Sequence, residues 1–162
     1  MVLPKGGKRD WVFYRINPPF SARDYNPKRV IDLIVIHHTG ADAPFRGVDS
    51  WYDIHRYHRD SRGYLGIGYH FGIDPEGKLY ALRPLSLIGA HCAGYNSKSI
   101  GIVLWGYKNK TQAQYDTLRE FLLTLQKRFP LAKVAEHRDL GRTKCPAIDR
   151  SKLKEGIRWL KP

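Results

Sequence analysis

His137 and Cys145 stand in HRDLGRTKC with seven residues between them, and far upstream IVIHHTG carries the adjacent His37 and His38. Imidazole nitrogen and thiolate sulfur are zinc ligands. Neighbouring side chains on a strand point to opposite faces, so only one of His37 and His38 can join His137 and Cys145 around an ion. Three protein ligands are the number a catalytic zinc uses, because its fourth position is left to water; a structural zinc closes its tetrahedron with four. The chemistry offered is hydrolysis. The spacing fits no compact zinc-finger pattern, and histidines at strand ends also serve as hydrogen-bonded core residues.

Such distant residues need a scaffold that gathers them. Residues 30–36 (VIDLIVI) form a β-branched, almost continuously apolar run, the pattern of a strand buried on both faces, with the two histidines at its carboxyl end. Residues 48–60 read as a helix with Trp51, Tyr52, His55 and His58 near one face, closed at Ser61, Arg62 and Gly63. His55 and His58 resemble a metal pair in spacing but are read as structural. Residues 68–74 and 78–83 make a hairpin around Pro75, Glu76 and Gly77, and residues 99–105 (SIGIVLW) are a further strand. Thr111 is a fitting N-cap for a helix over 112–129, whose Tyr115, Leu118, Phe121, Leu122, Leu125 and Phe129 recur every three or four residues before Pro130. A short strand over 133–135 delivers His137, and Asp149 caps a last helix with Leu153, Ile157 and Leu160 inward. Strands interleaved with helices predict a single α/β (α+β) domain built on one central sheet.

At 162 residues the chain is long enough to bury a core without covalent staples. Two cysteines do not make a disulfide framework, and with Cys145 a metal ligand Cys92 is an unpaired thiol. A formal charge of +13, from 28 Lys and Arg against 15 Asp and Glu, draws the protein to polyanions such as nucleic acid, anionic lipid or anionic wall polymers. No apolar run approaches the roughly 20 residues of a membrane span. The first residues have no apolar stretch of a secretory signal, so the protein is expected to be made in the cytoplasm. Residues 1–29 carry seven basic and two acidic residues punctuated by Pro and Gly, and read as an arm outside the main domain, residues 30–162. The arm's Trp11, Phe13, Tyr14 and Phe20 are suited to packing on that domain or to an anionic envelope surface.

Four segments, IVIHHTG, RGYLGIGYHFGIDPEGKLY, GAHCAGYNSKSIGIVLWG and EHRDLGRTKCPAID, resemble in order and spacing the zinc-dependent N-acetylmuramoyl-L-alanine amidases, a family that includes phage lysins and animal peptidoglycan recognition proteins. The resemblance spans about residues 30–160. It implies a mixed sheet flanked by helices and one Zn²⁺ per chain, held by His37, His137 and Cys145, with His38 turned into the fold. It places Tyr69 beside the metal-bound water and Thr143 two residues before the ligand cysteine, where relatives carry lysine or threonine; Lys144 is out of register by one and is read as a rim charge. His91, Tyr95 and Asn96 fall where relatives line the substrate groove, and Glu136 replaces the usual glycine or alanine. The implied chemistry is a zinc-activated water attacking the amide between N-acetylmuramic acid and L-alanine. With an ordinary pKa near 10, Tyr69 is a poor base at pH 7 and a better hydrogen-bond donor.

The resulting expectation is a monomeric peptidoglycan amidase of the phage endolysin type, reaching the wall of the host through a membrane lesion. A wall-recycling bacterial amidase is less favoured. The reading of another class is a peptidoglycan-binding module without activity. Noncatalytic relatives commonly replace the cysteine, so the complete set His37, His137, Cys145 and Tyr69 favours catalysis. No nucleic-acid motif accompanies the charge, and no specific nucleic-acid partner is expected.

Overall fold

A computed structural model describes residues 29–162 and the two-residue strand β1, Tyr14–Arg15. The rest of the expected arm, with Trp11, Phe13 and Phe20, lies outside the described residues.

The core strands are β2 (Leu33–His38), β3 (Phe71–Ile73), β4 (Leu79–Ala81), β5 (Ser99–Leu104) and β6 (Lys133–Glu136). With β1 they form one mixed sheet in the order β1-β4-β3-β5-β2-β6. Among the described residues only the β3–β4 hairpin is antiparallel; β1–β4, β3–β5, β5–β2 and β2–β6 are parallel. Strand β2 thus lies between two parallel partners, which explains why its sequence is apolar on both faces.

Alternation along the strands sorts the two faces. Ile34 and Ile36 of β2, with Ile100, Ile102 and Leu104 of β5, meet Leu118, Phe121, Leu122 and Leu125 of helix α2 (Gln112–Arg128) in the main core. Leu33 and Val35 face the other way, and on that side Val103 meets Trp51 of helix α1 (Val48–Arg56) with Ile67, Tyr80 and Leu82. Residue 37 shares the parity of Leu33 and Val35, so its side chain leaves the sheet on the face opposite α2.

Helix α2 starts as the sequence predicts: Thr111 Oγ1 accepts from Gln114 N at 3.1 Å, and Gln114 Oε1 accepts from Thr111 N at 3.0 Å. The buried Gln114 amide also donates to the carbonyls of Ile73 and Trp105, tying the helix start to the sheet. After Arg56 the first helix continues as a π-helical turn, Tyr57–Ser61, which ends one residue beyond the span predicted as one helix.

The expected last helix is replaced by an extended tail. Asp149 caps only a 3-10 turn, Arg150–Leu153, which ends because Lys154 (φ 57°) and Gly156 (φ 98°) take left-handed backbone. Leu153 is buried and Ile157 and Leu160 are partly buried as anticipated. They lead onto the outer edge of β6, where Val134 N donates to Arg158 O and Leu160 N donates to Val134 O. This covers an edge that would otherwise present unpaired backbone groups. Among the described residues no helix is long and apolar enough to cross a membrane.

Candidate metal centre

The parallel pairing of β2 and β6 sets Ile36 opposite Glu136, so the next residue of each chain segment, His37 and His137, emerges at the same level. Their ring centroids are 4.7 Å apart. Helix α3, His137–Leu140, then turns the chain, and the loop behind it returns Cys145 to the site. Arg138 N donates to Cys145 O at 2.8 Å, and His38 N donates to Cys145 Sγ at 3.3 Å. One ligand atom each from His37, His137 and Cys145 lie within 4.8 Å of one another. Cys145 Sγ is 3.9 Å from His37 Nδ1, which identifies the nitrogen that faces the cluster. His38 takes the opposite side of β2, half-buried, with its ring 5.3 Å from that of Tyr107 and Nδ1 at 3.3 Å from the Tyr107 carbonyl. Cys92 and Cys145 are both free, so no disulfide competes for the sulfur.

Glu136 anchors the loop that joins two of these donors. Its carboxylate is 1 % exposed and lies 3.0 Å from Arg138 and 2.6 Å from Arg150 Nε. It also forms a reciprocal cap with Asp139 at the start of α3. A buried carboxylate needs such cationic partners, and here they fasten β6, α3 and the segment after Cys145 to one point. The sequence left this residue without a role because its partners lie downstream, Arg138 in α3 and Arg150 in the 3-10 turn.

Tyr69 enters from the segment before β3. Its ring centroid is 5.1 Å from that of His37 and 5.5 Å from that of His58. His55 Nδ1 accepts from Ile67 N, and His58 Nδ1 accepts from Gly68 N, both at 3.0 Å. The two histidines thereby hold the backbone immediately before Tyr69, and neither belongs to the donor cluster.

Of the residues expected along the groove, Asn96 Oδ1 accepts from the backbone N–H groups of His91 and Cys92, each at 2.9 Å, and so shapes its own loop. Tyr95 packs against the Leu33, Val35 and Ala135 cluster, with the Lys98 ammonium 5.6 Å from its ring centroid. His91 is turned inward: Nδ1 lies 2.8 Å from His37 Nε2, and Nε2 lies 3.1 Å from Ser99 Oγ. Thr143 is exposed, and its Oγ1 accepts from Cys145 N at 3.1 Å. Lys144 is exposed beside it. A cation not anticipated at the site is Lys110, 9 % exposed, which donates to the Tyr107 carbonyl that also faces His38. Ser99 was also missed, yet its signal was readable: Ser99 and Gly101 are the small residues on one face of a strand whose other face is Ile100, Ile102 and Leu104.

Burial sets the charges. It holds His37 well below the usual histidine range, reinforced by neighbouring His91 and His137, and it also lowers His137. Both rings are neutral at pH 7 and available as ligands. Burial pushes the Cys145 thiol up to about 11, against the pull of the His38 N–H and the Lys110 ammonium. Burial, then the Cys145 thiolate, raises Tyr69 above its ordinary value, so its phenol stays protonated.

The buried histidines also make folding pH-dependent. Burial, with help from the Arg29 cation, lowers fully buried His70 from 6.5 to about 3, and His37 and His91 move the same way. The unfolded chain therefore takes up protons below about pH 6.5 that the folded chain refuses. The stability is fully present above that pH and is lost as pH falls toward 3, by about 2 kcal/mol at pH 5 for His70 alone. Urea unfolding of the chelated protein is expected to show a lower midpoint at pH 5 than at pH 7.5; equal midpoints would contradict the neutral burial of these rings.

Residues 26–148 match the family described as N-acetylmuramoyl-L-alanine amidase. The endolysin of Enterobacteria phage T3 is 32 % identical over 133 residues, which cover 77 % of this chain and 86 % of the endolysin. Peptidoglycan-recognition protein SC2 of Drosophila melanogaster is 35 % identical over 128 residues, 74 % of this chain and 70 % of that protein. Among solved structures, the N-acetylmuramoyl-L-alanine amidase LysC from Clostridium intestinale URNW superposes with a TM-score of 0.70 at 29 % identity, covering 87 % of this chain and 91 % of its own.

Proposed function

The chain belongs to the N-acetylmuramoyl-L-alanine amidase family and acts on peptidoglycan, and from that premise we propose that it is a zinc-dependent endolysin whose ion is held by His37, His137 and Cys145. The observation that carries this reading is the convergence of those three donors, from β2, α3 and the loop after it, within 4.8 Å. Two neutral imidazoles and one sulfur suit Zn²⁺, and three ligands leave room for a reactant. Bound there, zinc supplies a Lewis acid for the scissile carbonyl and lowers the pKa of water to about 7.

The rest of the chemistry falls to the chain itself. Tyr69, held protonated beside His37, donates a hydrogen bond to the oxygen that gains charge as the amide is attacked. Thr143 accepts the Cys145 N–H, which leaves its own proton for the same oxygen. Tyr95 and Asn96, on the loop between the hairpin and β5, are the candidates for holding the muramyl or stem-peptide portion of the substrate. The length shared with the phage T3 endolysin supports the lytic role. In that role the protein is made in the host cytoplasm, works as a monomer and meets the wall after the membrane has been breached.

Purified sacculi provide the test. Zinc-loaded protein should release stem peptides with new L-alanine amino groups and no new reducing sugar ends, and a chelator should stop the release. A folded, zinc-loaded protein that releases nothing from several wall types would instead be a peptidoglycan-binding module.

A further inference from the structure

The His37–His91–Ser99 contacts lie on the side of the His37 ring away from Cys145. His37 turns Nδ1 toward Cys145 Sγ, at 3.9 Å, and Nε2 toward His91 Nδ1, at 2.8 Å. A nitrogen that binds a metal carries no proton, so the neutral ring of His37 must keep its proton on Nε2. The short contact then has one possible sense: His37 Nε2–H donates and His91 Nδ1 accepts. His91 in turn keeps its own proton on Nε2 and donates it to Ser99 Oγ at 3.1 Å. The opposite sense would place the His37 proton on Nδ1, where the ion has to bind.

The His91 ring is also locked in place. A Cβ built on Gly89 would stand 2.6 Å from His91 Cδ2, and one built on Gly101 would stand at the same distance. Both are closer than carbon atoms approach, so the ring occupies a slot that exists because these two positions are glycine. Ser99 and Gly101 share one face of β5, and Ser99 is fully buried, so the acceptor and one side of the slot are supplied by the same strand.

We propose that His91 is a positioning residue: it receives the His37 Nε2 proton, fixing the tautomer and rotation that present Nδ1 to the metal, while Ser99 fixes His91. The inference rests on the zinc reading above and assigns His91 to the ion's support instead of to the substrate groove. Groups that orient a metal-binding histidine are worth about 10- to 100-fold in metal affinity.

The test is zinc affinity, measured by chelator competition on full-length wild type, His91→Ala, His91→Asn and His91→Gln, with circular dichroism of the metal-free forms as the check on folding. The Asn side-chain oxygen falls where Nδ1 lies and can accept from His37; the Gln carboxamide reaches the Nε2 position and leaves His37 without its acceptor. His91→Ala and His91→Gln should bind zinc about 10- to 100-fold more weakly, and His91→Asn should recover most of the loss. Equal affinities for Asn and Gln would reduce His91 to a packing role and overturn the proposal. So would unchanged zinc affinity in His91→Ala with a raised KM on sacculi, the signature of a groove contact. If the alanine variant does not fold, the Asn and Gln pair decides alone. A wild type without tight zinc binding is a different outcome, since it removes the zinc reading itself.

Discussion

Cys145→Ser is expected to cost the protein its zinc and, with it, at least about 10³-fold in the rate of peptide release from sacculi. The argument is electrostatic. His37 and His137 are neutral, so the thiolate is the one ligand whose negative charge offsets the ion, and a serine hydroxyl does not ionise at working pH. The pH dependence follows from the same residue. Without metal the Cys145 thiol titrates at about 11, so zinc uptake at pH 7 to 8 must expel one proton from it, while the histidines have none to lose. Apparent zinc affinity should therefore rise at least about tenfold per pH unit across that range. Uptake by the wild type should release the thiol's proton in addition to any lost by the bound water, at least about one per ion in a weakly buffered solution, and Cys145→Ala should release about one fewer. A serine variant that kept one zinc per chain and more than about a tenth of the activity would remove Cys145 from the ligand set.

Much of this centre was legible because parallel sheets translate sequence directly into position. An apolar β-branched run ending in two histidines marks a buried strand and its carboxyl end, and alternation then allows only one of the pair to face the cluster. The register Ile36 opposite Glu136 completes the step from two separate segments to adjacent imidazoles. Helix α2 was equally readable, since both its cap, Thr111 with Gln114, and its apolar stripe are local patterns. What escaped depends on contacts between distant residues. Periodicity states which face a residue takes but not what it meets there: His91 meets His37, 54 positions away, and Ser99 across the mouth of a loop. The last segment misled for a different reason. Leu153, Ile157 and Leu160 have helical spacing, but Lys154 in left-handed backbone ends the turn, and pairing of the tail with β6 outweighs a weak local preference.

Tyr69→Phe is expected to lower kcat by about 10²- to 10³-fold while leaving zinc content and KM close to those of the wild type. The substitution removes only an oxygen and its proton. The phenyl ring keeps the contacts with His37 and His58, so stability should change little. Burial and the neighbouring thiolate raise the phenol above its ordinary pKa, which keeps Tyr69 protonated through the neutral range and favours a donor over a base. A donor that is aimed at the oxygen gaining charge contributes more in the transition state than to the bound substrate, and its loss therefore falls on kcat. The pH profile separates the two roles. If Tyr69 only donates, the residual activity of Tyr69→Phe should follow the same dependence on pH as the wild type between about pH 6 and 9. A profile that lost a limb on substitution would instead identify the phenol as a proton acceptor. Loss of zinc from the variant would give the hydroxyl a structural part in the centre and explain the fall in rate without any donation to the substrate.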